Sequence, residues 1–210
     1  MIELQKIEIL YRPAGYAGDW PLPDGLRLVE LGPESAARIG ALARDQGQNR
    51  SPERVAARFR HGLRYFLLED ERGEGVAWLW LAAGVPRYLD EMCWQIALQP
   101  HQAWLRDGVV IPAWRGKRLL ACFLQAVTRH LERPVDLFVD IDAANTASLR
   151  GNYAAGFTRL TTLRGAILSP RLVVRQQPPA VLPPVTALRP RRRWLWLGRS
   201  EAEWHQAHIA

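Results

Sequence analysis

Cysteine is scarce in this chain: Cys93 and Cys122 are the only two among 210 residues. Two thiols without metal-ligand spacing exclude a disulfide framework and point to a reducing compartment. No run of eighteen uncharged apolar residues exists, which excludes a membrane-spanning helix. The opening Met1-Ile-Glu-Leu-Gln-Lys lacks the basic-then-apolar order of a secretion signal, so a cytoplasmic location is expected. No internal repeat is apparent.

Apolar residues make up 48% of the chain, which sets it among globular rather than disordered sequences. The length suits one α/β domain with a small appendage. The net charge of +7 favours anionic partners, whether a nucleotide cofactor, nucleic acid or an anionic membrane surface. Charge alone does not choose among them. The nine Trp residues are scattered and read as core or rim.

Residues 1–25 read as a lead-in strand at Ile7 to Tyr11 followed by a loop. Leu26 to Leu31 reads as a strand. Gly32-Pro-Glu-Ser35 opens a helix to about Arg44, and Ser51 caps a second one with Pro52 at its first position. Strands follow at Leu63 to Glu69 and Gly75 to Ala82, with a turn at Asp70 to Gly73. Ala83 to Glu91 reads as irregular. Met92 to Leu98 and Trp104 to Ile111 are two more strands. Arg118 to Leu131 carries an apolar stripe at helical spacing, stopped by Pro134. Val135 to Asp142 alternates, with Val135, Leu137, Val139 and Ile141 on one face and Asp136, Phe138, Asp140 and Asp142 on the other. Asn145 caps a short helix to about Ala155, and Gly156 stops it. Arg159 to Leu163 and Ala166 to Val174 close the series. The order is β-α-α-β-β-β-β-α-β-α-β, a mixed sheet flanked by helices.

The segment Val110-Ile-Pro-Ala-Trp-Arg115-Gly-Lys-Arg-Leu-Leu-Ala121 ends a strand and enters a helix through a basic turn. The first amides of a helix lack internal partners and, with the helix dipole, attract phosphate. Arg115, Lys117 and Arg118 would add charge-assisted bonds. By itself the segment fits a phosphate site or an ordinary basic connection equally well.

The segment resembles the coenzyme A-binding motif of the GNAT superfamily of N-acetyltransferases, Val-x-Pro-x-x-Arg-Gly-x-Gly-x-Gly/Ala before a helix. Val110, Pro112, Arg115 and Gly116 match in type and spacing, whereas Arg118 and Leu120 stand where glycines are usual. The stretch Asp142 to Phe157 is similar to the second GNAT signature, with Asn145, Ser148, Gly156 and Phe157 at the family spacing. The likeness covers about Leu26 to Val174. It implies an α/β fold with a GNAT-like mixed, mostly antiparallel central sheet flanked by helices. It also implies transfer of an acetyl group from acetyl-CoA, or another acyl-CoA, to a small-molecule or protein amine. The cofactor-binding positions it implies are Val110, Ile111, Arg115, Gly116, Lys117, Arg118, Leu119, Leu120, Asn145, Ser148 and Asn152. A backbone amide near Val110 or Ile111 would polarise the thioester carbonyl.

Many relatives place a Tyr acid at the position held here by Asn152; Tyr153 is one residue on, about 100° round a helix. Tyr153 is the candidate acid, or else a packing residue pointing into the core. Glu91 and Asp107 are candidate bases, or else solvated charges. Asp136, Asp140 and Asp142 lie along one polar strand face, and no metal site is expected.

Composition shifts after Arg175. The division expected is 1–25 lead-in, 26–175 GNAT-like domain, and 176–210 Pro-rich linker with a basic, aromatic extension. Leu188 to Gly198 mixes four Arg with two Trp. That tail fits a final strand packed on the body, a contact with a second subunit, or contact with nucleic acid or a membrane surface. The first two are favoured, so neither nucleic acid nor membrane is the expected partner. A GNAT-like binding or regulatory module without turnover is the alternative to an active enzyme.

Overall fold

The computed structural model describes residues 2–187 apart from 17, 48–50, 90–91, 93, 132 and 169–170. In chain order the elements are β1 (Ile2–Arg12), β2 (Arg27–Leu31), α1 (Ala36–Asp45), α2 (Pro52–Arg60), β3 (Arg64–Glu69), β4 (Gly75–Ala83), β5 (Arg87–Leu89), β6 (Trp94–Ile96) and β7 (Gln102–Val110). Then come α3 (Leu119–His130), β8 (Asp136–Asp142), α4 (Thr146–Ala154), β9 (Thr158–Leu168), β10 (Arg171–Arg175) and β11 (Val185–Ala187).

Eight strands form one sheet in the order β10-β9-β1-β8-β7-β4-β3-β2, and β11-β6-β5 form a smaller one. Among the described residues every pairing is antiparallel except that of β7 with β8. The mixed, mostly antiparallel sheet is therefore the one expected. Among the described residues, no helix is long and apolar enough to cross a membrane.

Strand alternation divides the core. Phe66, Leu68, Ala77 and Leu79 face α3, whose Leu119, Phe123, Leu124 and Val127 are buried against them. Tyr65, Leu67, Trp78, Trp80 and Trp104 face the other way, toward Ile39 of α1, Val55 of α2 and the small sheet. Trp78, Trp80, Trp94 and Trp104 are all buried on this second face, so four of the Trp residues serve its packing.

The N-terminal strand differs from expectation. It spans Ile2–Arg12 and lies inside the sheet, between β8 and β9, because its alternating residues find ladders on both sides. Its last residue, Arg12, is buried and donates through Nη1 to Ala155 O at 3.2 Å, at the C-terminal end of α4. Its guanidinium lies 5.5 Å from the ring centroids of both Tyr16 and Phe157. Burial pulls the Arg12 pKa down to about 10, which leaves it charged at neutral pH. A cation there complements the negative end of the helix dipole and fixes α4 on the sheet.

Two other segments depart from the sequence reading. Residues 158–168 form one strand across the predicted break at Arg164 and Gly165, held by pairing with β1. Residues 176–184, expected as an extended linker, return to the body and lead into β11. β11 pairs with β6, Pro184 O accepts from Ala97 N at 2.8 Å, and Leu182 is buried. Segment 83–91, expected as irregular, contains β5. The basic tail, 188–210, lies outside the described residues.

Candidate active site

The parallel pairing of β7 and β8 is short. It runs from Gln102 opposite Asp136 to Leu105 opposite Val139 and stops there, although β7 continues to Val110 and β8 to Asp142. The cause is on the other side of β7. Its register with β4 passes from Trp80 opposite Arg106 to Trp78 opposite Val109, so β7 gains one residue. The bulge centres on Asp107, whose φ is +47°. A bulge bends its strand and increases its twist. β7 stays with β4, β8 stays with β1, and the seam between them opens. Val110, which with Ile111 the family resemblance puts forward for the amide that polarises the thioester, closes this stretch of β7.

Just past Val110 the chain makes a short turn at Pro112–Trp114 and enters α3. Gly116 (φ +76°) and Arg118 (φ +56°) are both left-handed. These two inversions orient a run of amides outward. Among the described residues, the N–H groups of Gly116, Lys117, Arg118, Leu119 and Leu120 donate no hydrogen bond in good geometry. A Cβ built on Gly116 would meet nothing within 4 Å, so the approach to these amides is open. Arg115, Lys117 and Arg118 are exposed and form no ion pair among the described residues. Arg115 Nε donates to Val110 O at 2.9 Å, and Lys117 Nζ lies 4.9 Å from the Trp114 ring centroid. The turn is a cationic, amide-rich concavity of the kind that binds phosphate.

The two departures from glycine have different explanations. Arg118 takes the left-handed conformation in spite of its side chain, at a cost of roughly 1–2 kcal/mol for an L-residue. Arg118→Gly is therefore expected to raise the melting temperature, by about 1–4 °C after the extra flexibility of unfolded glycine is offset. A fall on thermal denaturation would show that the side chain has a stabilising contact. Leu120 is part-buried, and its Cδ2 would lie 3.6 Å from a Cβ on Gly151, so it packs α3 against α4. Leu119 is 2% exposed and faces the core, so only its amide is available to a ligand.

At α4, Asn145 caps the helix: its Oδ1 accepts from Ser148 N at 3.1 Å. Asn152 is buried, and its Nδ2 donates to Ser148 O at 2.9 Å and to Ser148 Oγ at 3.4 Å. Tyr153 is 43% exposed. The expected alternative of Tyr153 in the core is thus reversed, since Asn152 takes the inward position and Tyr153 the outward one. Tyr16 lies against Gly156 (φ +89°), where a Cβ would collide with its ring.

Of the candidate bases, Glu91 lies outside the described residues. Asp107 is ion-paired with the buried Arg58 of α2, Nη1 to Oδ2 at 2.6 Å. Arg58 also sits 5.1 Å from the Trp80 ring centroid. The aspartates of β8 are separately engaged. Asp136 accepts from Tyr11 Oη (3.1 Å) and Ala14 N (2.8 Å), and Asp142 accepts from Ala144 N (2.8 Å).

One group of residues was not found from the sequence. Asp140 is the first residue of β8 past the seam, on the face opposite α3. Its Oδ1 accepts from Trp104 Nε1 at 2.5 Å and from Arg87 Nη2 at 3.1 Å. Register places Tyr65, Trp80 and Arg106 in one row across β3, β4 and β7, leading to the same opening. Burial pushes the Tyr65 hydroxyl pKa up, and its oxygen has no hydrogen-bond partner among the described residues. The alternation of β8 was a signal for Asp140. Arg87 had none, because its segment reads as irregular.

No protein-family model matches the sequence, and no curated protein matches it. Solved structures do match. A putative acetyltransferase from the GNAT family of Novosphingobium aromaticivorans is similar over 78% of this chain and 63% of its own, with 16% identity and a TM-score of 0.52. A GNAT-family acetyltransferase from Colwellia psychrerythraea is similar over 78% and 56%, with 15% identity and a TM-score of 0.53. The aminoglycoside antibiotic 6'-N-acetyltransferase of Acinetobacter baumannii is similar over 74% of this chain and 100% of its own, with 14% identity and a TM-score of 0.50. The chain spans less than two thirds of the length of the first two. Identities at this level speak for architecture alone, and they agree with the opened parallel seam and the amide-rich turn: this chain has the fold of the GNAT acetyltransferases.

Proposed function

We propose that the protein is an acyl-coenzyme A-dependent N-acetyltransferase acting on an amine. One juxtaposition carries the reading. The only parallel seam among the described strands opens at Leu105 and Val139, and the strand that leaves it runs directly into the turn of free amides at Gly116 to Leu120. A pyrophosphate at the turn would accept from those amides, with Arg115, Lys117 and Arg118 in reach of its oxygens. The arm of the cofactor would then lie along the exposed edge of β7 between the splayed strands.

Acetyl-CoA supplies a thioester. A neutral amine attacks its carbonyl carbon, the C–N bond forms, the C–S bond breaks, and the thiolate takes a proton as thiol. The balance is one ammonium and one thioester giving one amide, one thiol and one proton. Donors fixed at the opening would stabilise the developing oxyanion without reorganising. Tyr153 is the candidate acid, being exposed on α4. Asp107 serves better as the anchor of the bulge than as a base, since Arg58 already holds its carboxylate. Asn145 and Ser148 present the N-terminus of α4, and Asn152 braces its first turns. The scarcity of cysteine supports a cytoplasmic setting for the reaction.

The test is thiol release from acetyl-CoA across a panel of small amines and peptides. Turnover that needs both acetyl-CoA and an amine is expected. Firm binding of acetyl-CoA with no turnover across the panel would instead favour a non-catalytic GNAT-like module.

A further inference from the structure

We infer that the acceptor is an amine carrying a carboxylate, of the amino-acid class, held with its ammonium on Asp140 and its carboxylate on Arg87. This inference deepens the transferase reading above and rests on it for the place of the reaction.

The observation is a part-buried ion pair in which the buried Arg87 and the half-buried Asp140 leave over groups of opposite charge. Arg87 is 3% exposed, and among the described residues only its Nη2 is engaged, with Asp140 Oδ1, while the buried Nε and Nη1 have no hydrogen-bond partner there. Asp140 is the complement. Both of its donors, Trp104 Nε1 and Arg87 Nη2, converge on Oδ1, and Oδ2 accepts from none of the described residues. Each idle N–H group forfeits the hydrogen bond that it would make to water in the unfolded chain. Buried donors without acceptors are rare and call for a specific explanation.

The charges select the ligand. A simple anion on Arg87 would meet the negative charge of Asp140. A simple cation on Asp140 would meet the positive charge of Arg87. A molecule with an ammonium and a carboxylate a few ångströms apart satisfies both at once, as the free amino acids do. The location makes this useful for the proposed reaction. Asp140 is the first residue of β8 beyond the last parallel pair, so an ammonium on Oδ2 stands at the opening of the seam. It stands on the face opposite α3, leaving the α3 side to the cofactor. Arg87 is held by the pairing of β5 with β6, opposite Ile96. Trp104, fully buried and stacked on Phe138 at 5.4 Å, fixes the carboxylate from below.

Calorimetric titration of the full chain with amino acids, each beside its decarboxylated amine and its carboxamide, tests this. Serine with ethanolamine and phenylalanine with phenethylamine are suitable pairs. The acid is expected to bind about 10- to 100-fold more tightly than its decarboxylated partner, the range of a charged hydrogen bond. In Arg87→Gln that preference should vanish while binding of the plain amine persists, and Arg87→Lys should restore part of it. Asp140→Asn should weaken acid and amine alike. The inference is overturned if no amino acid binds, if acid and amine bind equally, or if Arg87→Gln keeps the preference. Should Arg87→Gln fail to fold, the comparison within the wild-type protein still decides. Thiol release separates the two levels: amino-acid binding without acetyl transfer would defeat the transferase reading alone, and transfer indifferent to the carboxylate would defeat this inference alone.

Discussion

Trp104→Ala is expected to destabilise the protein by about 3–5 kcal/mol, a large fraction of the roughly 5–15 kcal/mol that holds a domain together. Trp104 is 0% exposed and lies on β7 within the parallel seam. Its ring stacks on Phe138 of β8 with an interplanar angle of 13°, so the pair binds the two strands just before they part. Truncation leaves a void the size of an indole between strands that share four residue pairs. It also removes one of the two donors on Asp140, leaving that carboxylate to Arg87 alone. Trp104→Phe separates the contributions. It keeps an aromatic ring against Phe138 but loses the N–H donor and part of the indole volume, so about 2–4 kcal/mol is expected, the lost hydrogen bond to a charged group plus a small cavity. Urea denaturation followed by circular dichroism reads both variants. A loss below about 1 kcal/mol in Trp104→Ala would contradict the packing of the seam described above.

Gly116→Asp is expected to fold normally and to weaken acetyl-CoA binding by about 100-fold. Asp is among the few L-residues that tolerate the left-handed conformation Gly116 adopts, at φ +76°. Nothing lies within 4 Å of the new Cβ, so no packing is disturbed. The carboxylate would instead enter the space in front of the free amides of Lys117 to Leu120 and repel a pyrophosphate there. A hundredfold change corresponds to about 2.7 kcal/mol, the scale of a displaced charge-assisted contact. A melting temperature lowered by no more than about 1–4 °C, the cost of a left-handed Asp, together with lost binding is the expected pair of results. Unchanged binding would remove the turn from the site.

Much of this was readable from residues. The alternation in Asp136 to Asp142 placed Asp140 and Phe138 on one face, as they are. Asn145 was identifiable as a cap from its place before a helical run, and its side chain caps Ser148 N. The basic turn and α3 were legible because the start signal and the apolar stripe are local. What escaped depends on distant partners. The bulge at Asp107 exists only through the register of β7 against β4, which no local pattern encodes. The phase of α4 is set by what its inner side meets, so Asn152 turns in and Tyr153 out. The segment from Gln176 to Pro184 is Pro-rich and reads as a linker, yet a Pro carbonyl can still accept a hydrogen bond, as Pro184 does from Ala97. Arg87 stands on a strand of three residues that takes its place by pairing with β6.

The same division holds for the chemistry. The match at Arg115 and Gly116 located the turn, and the structure explains how Arg118 and Leu120 fit without glycine. One adopts the glycine conformation, and the other packs toward α4. The face opposite α3 carries the polar groups that local patterns do not connect, because Arg58, Asp107, Arg87 and Asp140 come from four separate elements.

The central claim is that the opened seam and the amide turn together form a site for an acyl-coenzyme A. Isothermal titration of the full chain with acetyl-CoA tests it most directly, with Gly116→Asp as the matched control. Saturable one-to-one binding that the substitution weakens about 100-fold is predicted. No binding to the wild-type protein at millimolar acetyl-CoA, or equal binding to both proteins, would contradict it.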